Sequence, residues 1–270
     1  MPDELTMART ALLDAIEALE AQLDAIIVVG AQAIYLHTGS ADVAIAEFTT
    51  DGDLALDPDV LSSAPLVNDA MREAGFAPDP RSSAIGTWIS RRAVPVDLMV
   101  PDAVAGAGRR GVRVPPHDSK AMRRARGLEA ALVDNSPMSI GALDPAADPR
   151  EFNVAVAGPA ALLVAKLHKI HDRVDTPDRL NNKDAHDVYR LLRAIETEVL
   201  SDTLSRLLRD PVSAEATRRA LEYLDSDFAR GASARGSLMA GAAERLVGDP
   251  VAVAESLALL ARDLMDAVVS

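Results

Sequence analysis

The spacing of apolar residues changes character once along this chain, at Gly158-Pro159. Before that point short apolar runs and two-residue alternations are mixed with helical periods. After it, to Ser270, the pattern is helical almost throughout, with turns near Asp175 to Asn182, Asp210-Pro211, Arg230 to Arg235 and Gly248 to Pro250. The change predicts an α/β (α+β) domain over 1–158 and an all-helical domain over 159–270.

Within the first half a helix is predicted over Glu4 to Leu23, with Leu12, Ile16 and Leu19 on one face. A short buried strand, Ile26 to Val29, ends at Gly30, and Ala31 to His37 is helical. Asp51 to Leu56 alternates as a strand, with Leu54 and Leu56 on one face and Asp51 and Asp53 on the other. Asp57-Pro58 fits an N-cap with proline at the first helical position, so Asp57 and Asp59 read as capping groups of a helix running to Gly75. Ala84 to Ser90 and Ala93 to Val100 read as two strands joined at Arg91-Arg92. Ala103 to Val114, with three glycines, reads as a loop. Further strands are expected near Ala131 to Val133 and over Asn153 to Ala157.

Composition narrows the chemistry. The 270 residues contain no cysteine, which removes disulfides, thiolate nucleophiles and thiolate metal sites. Five scattered histidines argue against a zinc centre; His168 and His171 stand three apart but lack the HExxH context. No basic-then-apolar leader opens the chain and no apolar run approaches the roughly 20 residues of a membrane span, so a cytoplasmic location is expected, with no membrane partner. Aromatics make up 3%, leaving a core of Ala, Leu, Val and Ile. A net charge of −13 repels phosphates on average. Against it stands a basic stretch from Arg109 to Arg126, where Arg109, Arg110, Arg113, Lys120, Arg123, Arg124 and Arg126 place seven cations in eighteen residues. It is either a solvated surface or a dock for an anionic acceptor, without the interleaved aromatics of a single-strand stacking site.

The sharpest chemical signal is Thr49-Thr50-Asp51-Gly52-Asp53. Carboxylates two residues apart on a strand point the same way, with Cα atoms about 6.5 to 7 Å apart, and can share a hard cation such as Mg²⁺. Asp97, the lone charge in the apolar strand Pro95 to Val100, is a third candidate ligand that converges with them if the two strands are neighbours. An EF-hand starting at Asp51 fails, because its sixth and twelfth positions are Leu56 and Ser62 rather than Gly and Glu. An aspartyl-phosphate phosphatase would place a buried apolar strand before its acids, whereas here the alternation follows them; it stays as a lesser alternative. Val29-Gly30-Ala31 enters a helix through one glycine, where free N–H groups suit a phosphate. Further on, Lys166, Lys169 and Arg173 share one helix face, and Lys183-Asp184 with Asp187 open the next helix. This pair of helices is either an ordinary surface with salt bridges or a cationic wall for a triphosphate, with Asp184 orienting Lys166.

Taken in order, Gly30-Ala31 after a strand, Thr50-Asp51-Gly52-Asp53, Asp97, Lys166 and Lys183-Asp184 with Asp187 resemble the nucleotidyltransferase superfamily, and within it the AbiEii-type and MenT-type toxins of type IV toxin–antitoxin systems. The resemblance covers most of residues 25 to 192. It implies a mixed β-sheet flanked by helices and a helical C-terminal domain completing the nucleotide site. The implied activity is Mg²⁺-dependent (or Mn²⁺-dependent) transfer of a nucleotide from NTP to an acceptor hydroxyl, in family members the 3′ end of tRNA. Carried over, Asp51 and Asp53 bind metal, and Gly30, Ala31 and Thr50 lie at the phosphates. Lys166 contacts the triphosphate with Lys169 and Arg173 beside it, and Asp184 supports Lys166. Asp97 is a second metal ligand or a general base, the Arg109 to Arg126 stretch receives RNA, and an antitoxin protein is a further implied partner. Three departures stand out: Ala31 stands where glycine or serine is usual, a longer linker separates Gly30 from Asp51, and Gly52 sits between the acids where an aliphatic residue is more usual. Ala31 favours the alternative of a catalytically inactive fold that binds a nucleotide or a protein, and the presence of all three acids and Lys166 counts against it.

Overall fold

A β-strand turns alternate side chains to opposite faces, so the residues that bury together tell which face of the sheet a helix covers. The fold is described from a computed structural model over residues 4–39, 49–81, 85–174, 182–246 and 248–269. Backbone proximity divides the chain into two units: Met1–Ala33, Phe48–Ala125 and Asn135–Ala157 form the first, and Ile34–Glu47, Arg126–Asp134 and Gly158–Ser270 the second.

The first unit holds a mixed sheet. Its strands are β1 (Ile26–Val28), β2 (Gly52–Leu56), β3 (Ala77–Pro78), β4 (Thr87–Ile89), β5 (Pro95–Pro101), β6 (Arg123–Ala125), β7 (Asn135–Gly141) and β8 (Glu151–Ala157). They run in the order β3-β4-β5-β2-β1-β8-β7, with β6 also paired to β5. β2 lies parallel to β5 and antiparallel to β1, and β1 is parallel to β8. Helix α1 (Glu4–Ala18) packs on β2 and β5. Leu12, Leu13, Ile16 and Leu19 are fully buried with Leu54, Leu56, Val96 and Leu98, which forms an aliphatic core consistent with the shortage of aromatics. Trp88 is buried on β4 and donates its indole N–H to the Ala121 carbonyl at 2.9 Å. Gly52 lies under α1: a Cβ there would stand 3.4 Å from Leu12 Cβ and from Val96 Cγ2. The glycine between the acids therefore belongs to the helix-covered face, where Leu12 fills the space an aliphatic residue would take.

In the second unit, α4 (Pro159–His171) packs on α5 (Asn182–Ala194) and α7 (Ala214–Leu224). Helix α8 (Arg235–Ala243) packs on α5 and α9 (Pro250–Val269), and α6 (Thr197–Leu207) on α9. Gly158 has no side chain with which to cap α4. Asp134 does so from a distance, accepting the Ala161 N–H at 3.0 Å, with Pro159 at the first helical position.

Several elements depart from the sequence reading. The first helix stops at Ala18 and continues as 3₁₀ turns over Glu20–Ala25. No helix opens at Asp57-Pro58; α3 covers only Val67–Glu73, because the residue before Pro65 is driven out of helical geometry and Pro65 has no N–H to give. Asp57 instead accepts the Asp59 N–H in a local turn. The strand expected near Ala131 to Val133 is a 3₁₀ turn, Glu129–Leu132, and pairing begins three residues later at Asn135. β3 and β6 are too short to carry a period. The strand start at Ala84 and most of the turn from Asp175 to Asn182 lie outside the described residues. Among the described residues no helix is long and apolar enough to cross a membrane.

Candidate functional site: a row of carboxylates beside a glycine turn

Parallel pairing of β2 with β5 sets Asp53 against Asp97 in register, and antiparallel pairing of β4 with β5 sets Thr87 against Asp97. Cross-strand partners share a face, so Thr87, Asp97 and Asp53 form one polar row on the face of the sheet away from α1. The strands carrying the acids are neighbours, and Asp53 and Asp97 are in register across them. Asp51 stands just before β2, two residues from Asp53.

The row is supported from both sides. The Thr49 hydroxyl, buried, donates to Asp51 Oδ1 at 2.6 Å. Gln32 Nε2 donates to the Asp51 carbonyl at 3.0 Å, and Gln32 Oε1 accepts from Arg9 Nε at 2.8 Å. Arg9, on α1, also donates to the Gly141 carbonyl at 2.9 Å; burial pulls its guanidinium below its ordinary value. Gly30 starts α2 (Gly30–Thr38) at φ +73°, and a Cβ there would collide with the Asp53 carboxylate. Glycine is needed twice over: for the left-handed backbone and for the close approach of the acid.

Asp97 is not left as a bare ligand. The Thr87 hydroxyl donates to its Oδ1 at 2.6 Å, and Arg123 Nη2 donates to its Oδ2 at 2.7 Å. Arg123 reaches it from β6, whose register places Arg123 against Met99, two residues along from Asp97 on the same face. Among the described residues no group of three or more His, Asp or Glu side chains is gathered to hold a metal ion. Asp51 and Asp53, two residues apart, are the kind of two-carboxylate set that would hold Mg²⁺, whereas Asp97 carries the Arg123 guanidinium, which suits a cation there less well. Thr50 is exposed, and Ala31 is buried at the start of α2.

The helical unit carries the second group. Lys166 is 5% exposed, with Nζ 2.9 Å from Asp184 Oδ1 and 2.6 Å from Asp187 Oδ2. Burial alone would lower the lysine, but Asp184 and Asp187 outweigh it and hold the ammonium above its ordinary value. Burial would likewise raise Asp184; Lys166 and Lys169 outweigh it and keep that carboxyl well below the usual carboxylate range. Lys169 Nζ, at 3.0 Å, and Arg173 Nη1, at 3.1 Å, share Asp184 and are more open to solvent, at 39% and 27% of their side chains. Where the sequence placed Lys166 at a triphosphate, the fold commits it to two carboxylates inside the unit, and Lys169 and Arg173 are the cations turned outward.

The basic stretch divides by role. Arg109, Arg110, Arg113 and Lys120 are exposed. Arg124 pairs with Asp102 at 3.3 Å and donates to the Gly106 and Gly108 carbonyls, which folds the glycine-rich loop back on β6. Arg126 lies 3.8 Å from Asp172 in the second unit. Sequence reasoning missed Thr49, Thr87, Arg9, Gln32 and, as a site residue, Arg123. Arg9, Gln32 and Thr87 show only as polar residues within apolar segments, Thr49 as a neighbour of the acids and Arg123 as one of a basic run; each acts on a partner two to 132 residues away. No protein-family profile, curated protein sequence or solved structure matches the chain.

Proposed function

We propose that the chain is a nucleotidyltransferase that moves a nucleotide from an NTP to an acceptor hydroxyl on an RNA, and that it acts in a toxin-like way. The observation that carries this reading is the in-register pair Asp53 and Asp97 on parallel strands, with Asp51 two residues upstream and the Gly30 turn closing on Asp53. The order of motifs that resembles the AbiEii and MenT proteins is a second support. When bound at Asp51 and Asp53, Mg²⁺ would supply neutralisation of the triphosphate and acidification of the attacking hydroxyl.

The chain's own residues would do the rest. The N-terminal turn of α2 offers N–H groups and the positive end of its dipole to phosphate oxygens beside Asp53. Arg123, with one donor on Asp97, has further N–H groups to stabilise charge on the phosphates as the bond to pyrophosphate breaks. Arg9 and Gln32 hold the backbone at Asp51 so that its carboxylate keeps its place. Exposed Arg109, Arg110, Arg113 and Lys120 suit the backbone of an RNA acceptor.

A second reading, a nucleotide-binding module without turnover, is favoured by the Arg123 guanidinium on Asp97, which occupies the third acid. Incubation with α-³²P-labelled NTPs and total RNA separates the two. The transferase reading expects label on RNA with the wild type and none with Asp53→Asn at equal folding. Undiminished labelling by that variant overturns the site, and nucleotide binding without any labelling favours the second reading.

A further inference from the structure

Arg123 pairs with the carboxylate that a three-acid centre would give to a metal ion. Each oxygen of Asp97 accepts a hydrogen bond, one from the Thr87 hydroxyl at 2.6 Å and one from Arg123 Nη2 at 2.7 Å. The arginine is not a loose surface chain that happens to fold over an acid. Its backbone is strand-paired to β5 at Met99, and Gly86 packs so closely against it that a Cβ at Gly86 would collide with the Arg123 backbone nitrogen. A guanidinium carries five donors in a fixed fork, and this one uses a single donor among the described residues. Its side chain is 34% exposed, so the remaining donors stay open to an anion.

We propose that the centre takes one divalent cation per bound nucleotide, at Asp51 and Asp53, and that Arg123, oriented by Asp97 and Thr87, is the phosphate-binding residue that supplies the second positive charge. The proposal rests on the nucleotidyltransferase reading and goes beyond it by fixing the metal count and giving Asp97 a positioning role in place of metal ligation. A planar fork matches two phosphate oxygens at once, which gives a polyphosphate directional contacts that a solvated ion at the same place would not. It also makes Thr87 part of the centre, since its hydroxyl holds the oxygen of Asp97 that Arg123 leaves open.

Native mass spectrometry counts Mn²⁺ in the complex with each of the four α,β-methylene nucleoside triphosphates, and calorimetry gives the affinities. The wild type is expected to carry one nucleotide with one Mn²⁺. Asp97→Asn, nearly isosteric, is expected to keep one Mn²⁺ while its nucleotide affinity falls, because Arg123 is no longer held. Arg123→Ala is expected to weaken the nucleotide about ten- to a hundredfold, the worth of a charge-assisted contact. Arg123→Lys should restore part of that loss. Two Mn²⁺ per nucleotide in the wild type, loss of the metal in Asp97→Asn, or unchanged nucleotide affinity in folded Arg123→Ala would each overturn the proposal. A wild type that binds none of the four nucleotides would instead overturn the transferase reading from which it starts.

Discussion

Replacing Lys166 with methionine tests the cluster at the centre of the helical unit, because it removes the charge and keeps most of the side-chain volume. In the native chain three cations, Lys166, Lys169 and Arg173, face two carboxylates, Asp184 and Asp187. After the substitution Asp184 keeps Lys169 and Arg173. Asp187, 2% exposed, loses its one ion pair among the described residues. Leaving a buried charge without its partner costs about 3–5 kcal/mol, whereas deleting an outward cation such as Lys169 costs about 0–1 kcal/mol. Urea unfolding measures both, and the chain supplies separate reporters: Trp88 lies in the first unit, while Tyr35, Tyr189 and Tyr223 all lie in the second. The loss should therefore appear in the tyrosine signal. Acid adds a sign. Asp184 is depressed in the folded state, so its contribution is present above the ordinary carboxylate range and fades as pH falls below it toward the folded value. Lys166 is raised, so its share is complete below the ordinary lysine value of 10.5 and fades only above it. The wild type should weaken below about pH 4, and Lys166→Met should show a shallower acid dependence. A loss under about 1 kcal/mol, or an unchanged acid slope, would refute the account of this cluster as a buried clamp.

Two further outcomes follow from backbone geometry. Gly30→Ala should displace Asp53 and abolish Mn²⁺ binding while Trp88 emission stays native, since the collision is confined to one turn; retained Mn²⁺ affinity would contradict the packing described. Ala93 holds φ +61° in the turn between β4 and β5, so Ala93→Gly should stabilise the first unit by about 0.5–1 kcal/mol in urea, and destabilisation would argue against a strained turn.

The acids were legible because a strand's two-residue period makes a lone charge conspicuous: Asp53 before Leu54 and Leu56, and Asp97 amid Val96, Leu98 and Val100, have no place in an aliphatic core. Their neighbours in space were not legible. Strand order depends on which edges find each other, and nothing local to 95–100 tells that Arg123 will lie beside it. Arg9 reads as one more cation on a helix until the fold buries it against Gln32. The helix expected after Asp57 failed because a good N-cap signal was outweighed by Pro65 eight residues later. The change of period near 158 marks where the last segment of the helical unit begins, but the units are not a single cut there: 34–47 also belongs with the helical unit. The return of 126–134 to that unit was not legible, since a short 3₁₀ turn leaves no periodic mark.

The contact between Gly30 and Asp53 ties the fate of two positions together. Any descendant chain that acquires a side chain at position 30 forfeits the placement of the acid without altering it, and selection then has no reason to keep the acid. If Asp53 holds the cation proposed for it, the glycine and the aspartate should disappear as a pair across a lineage.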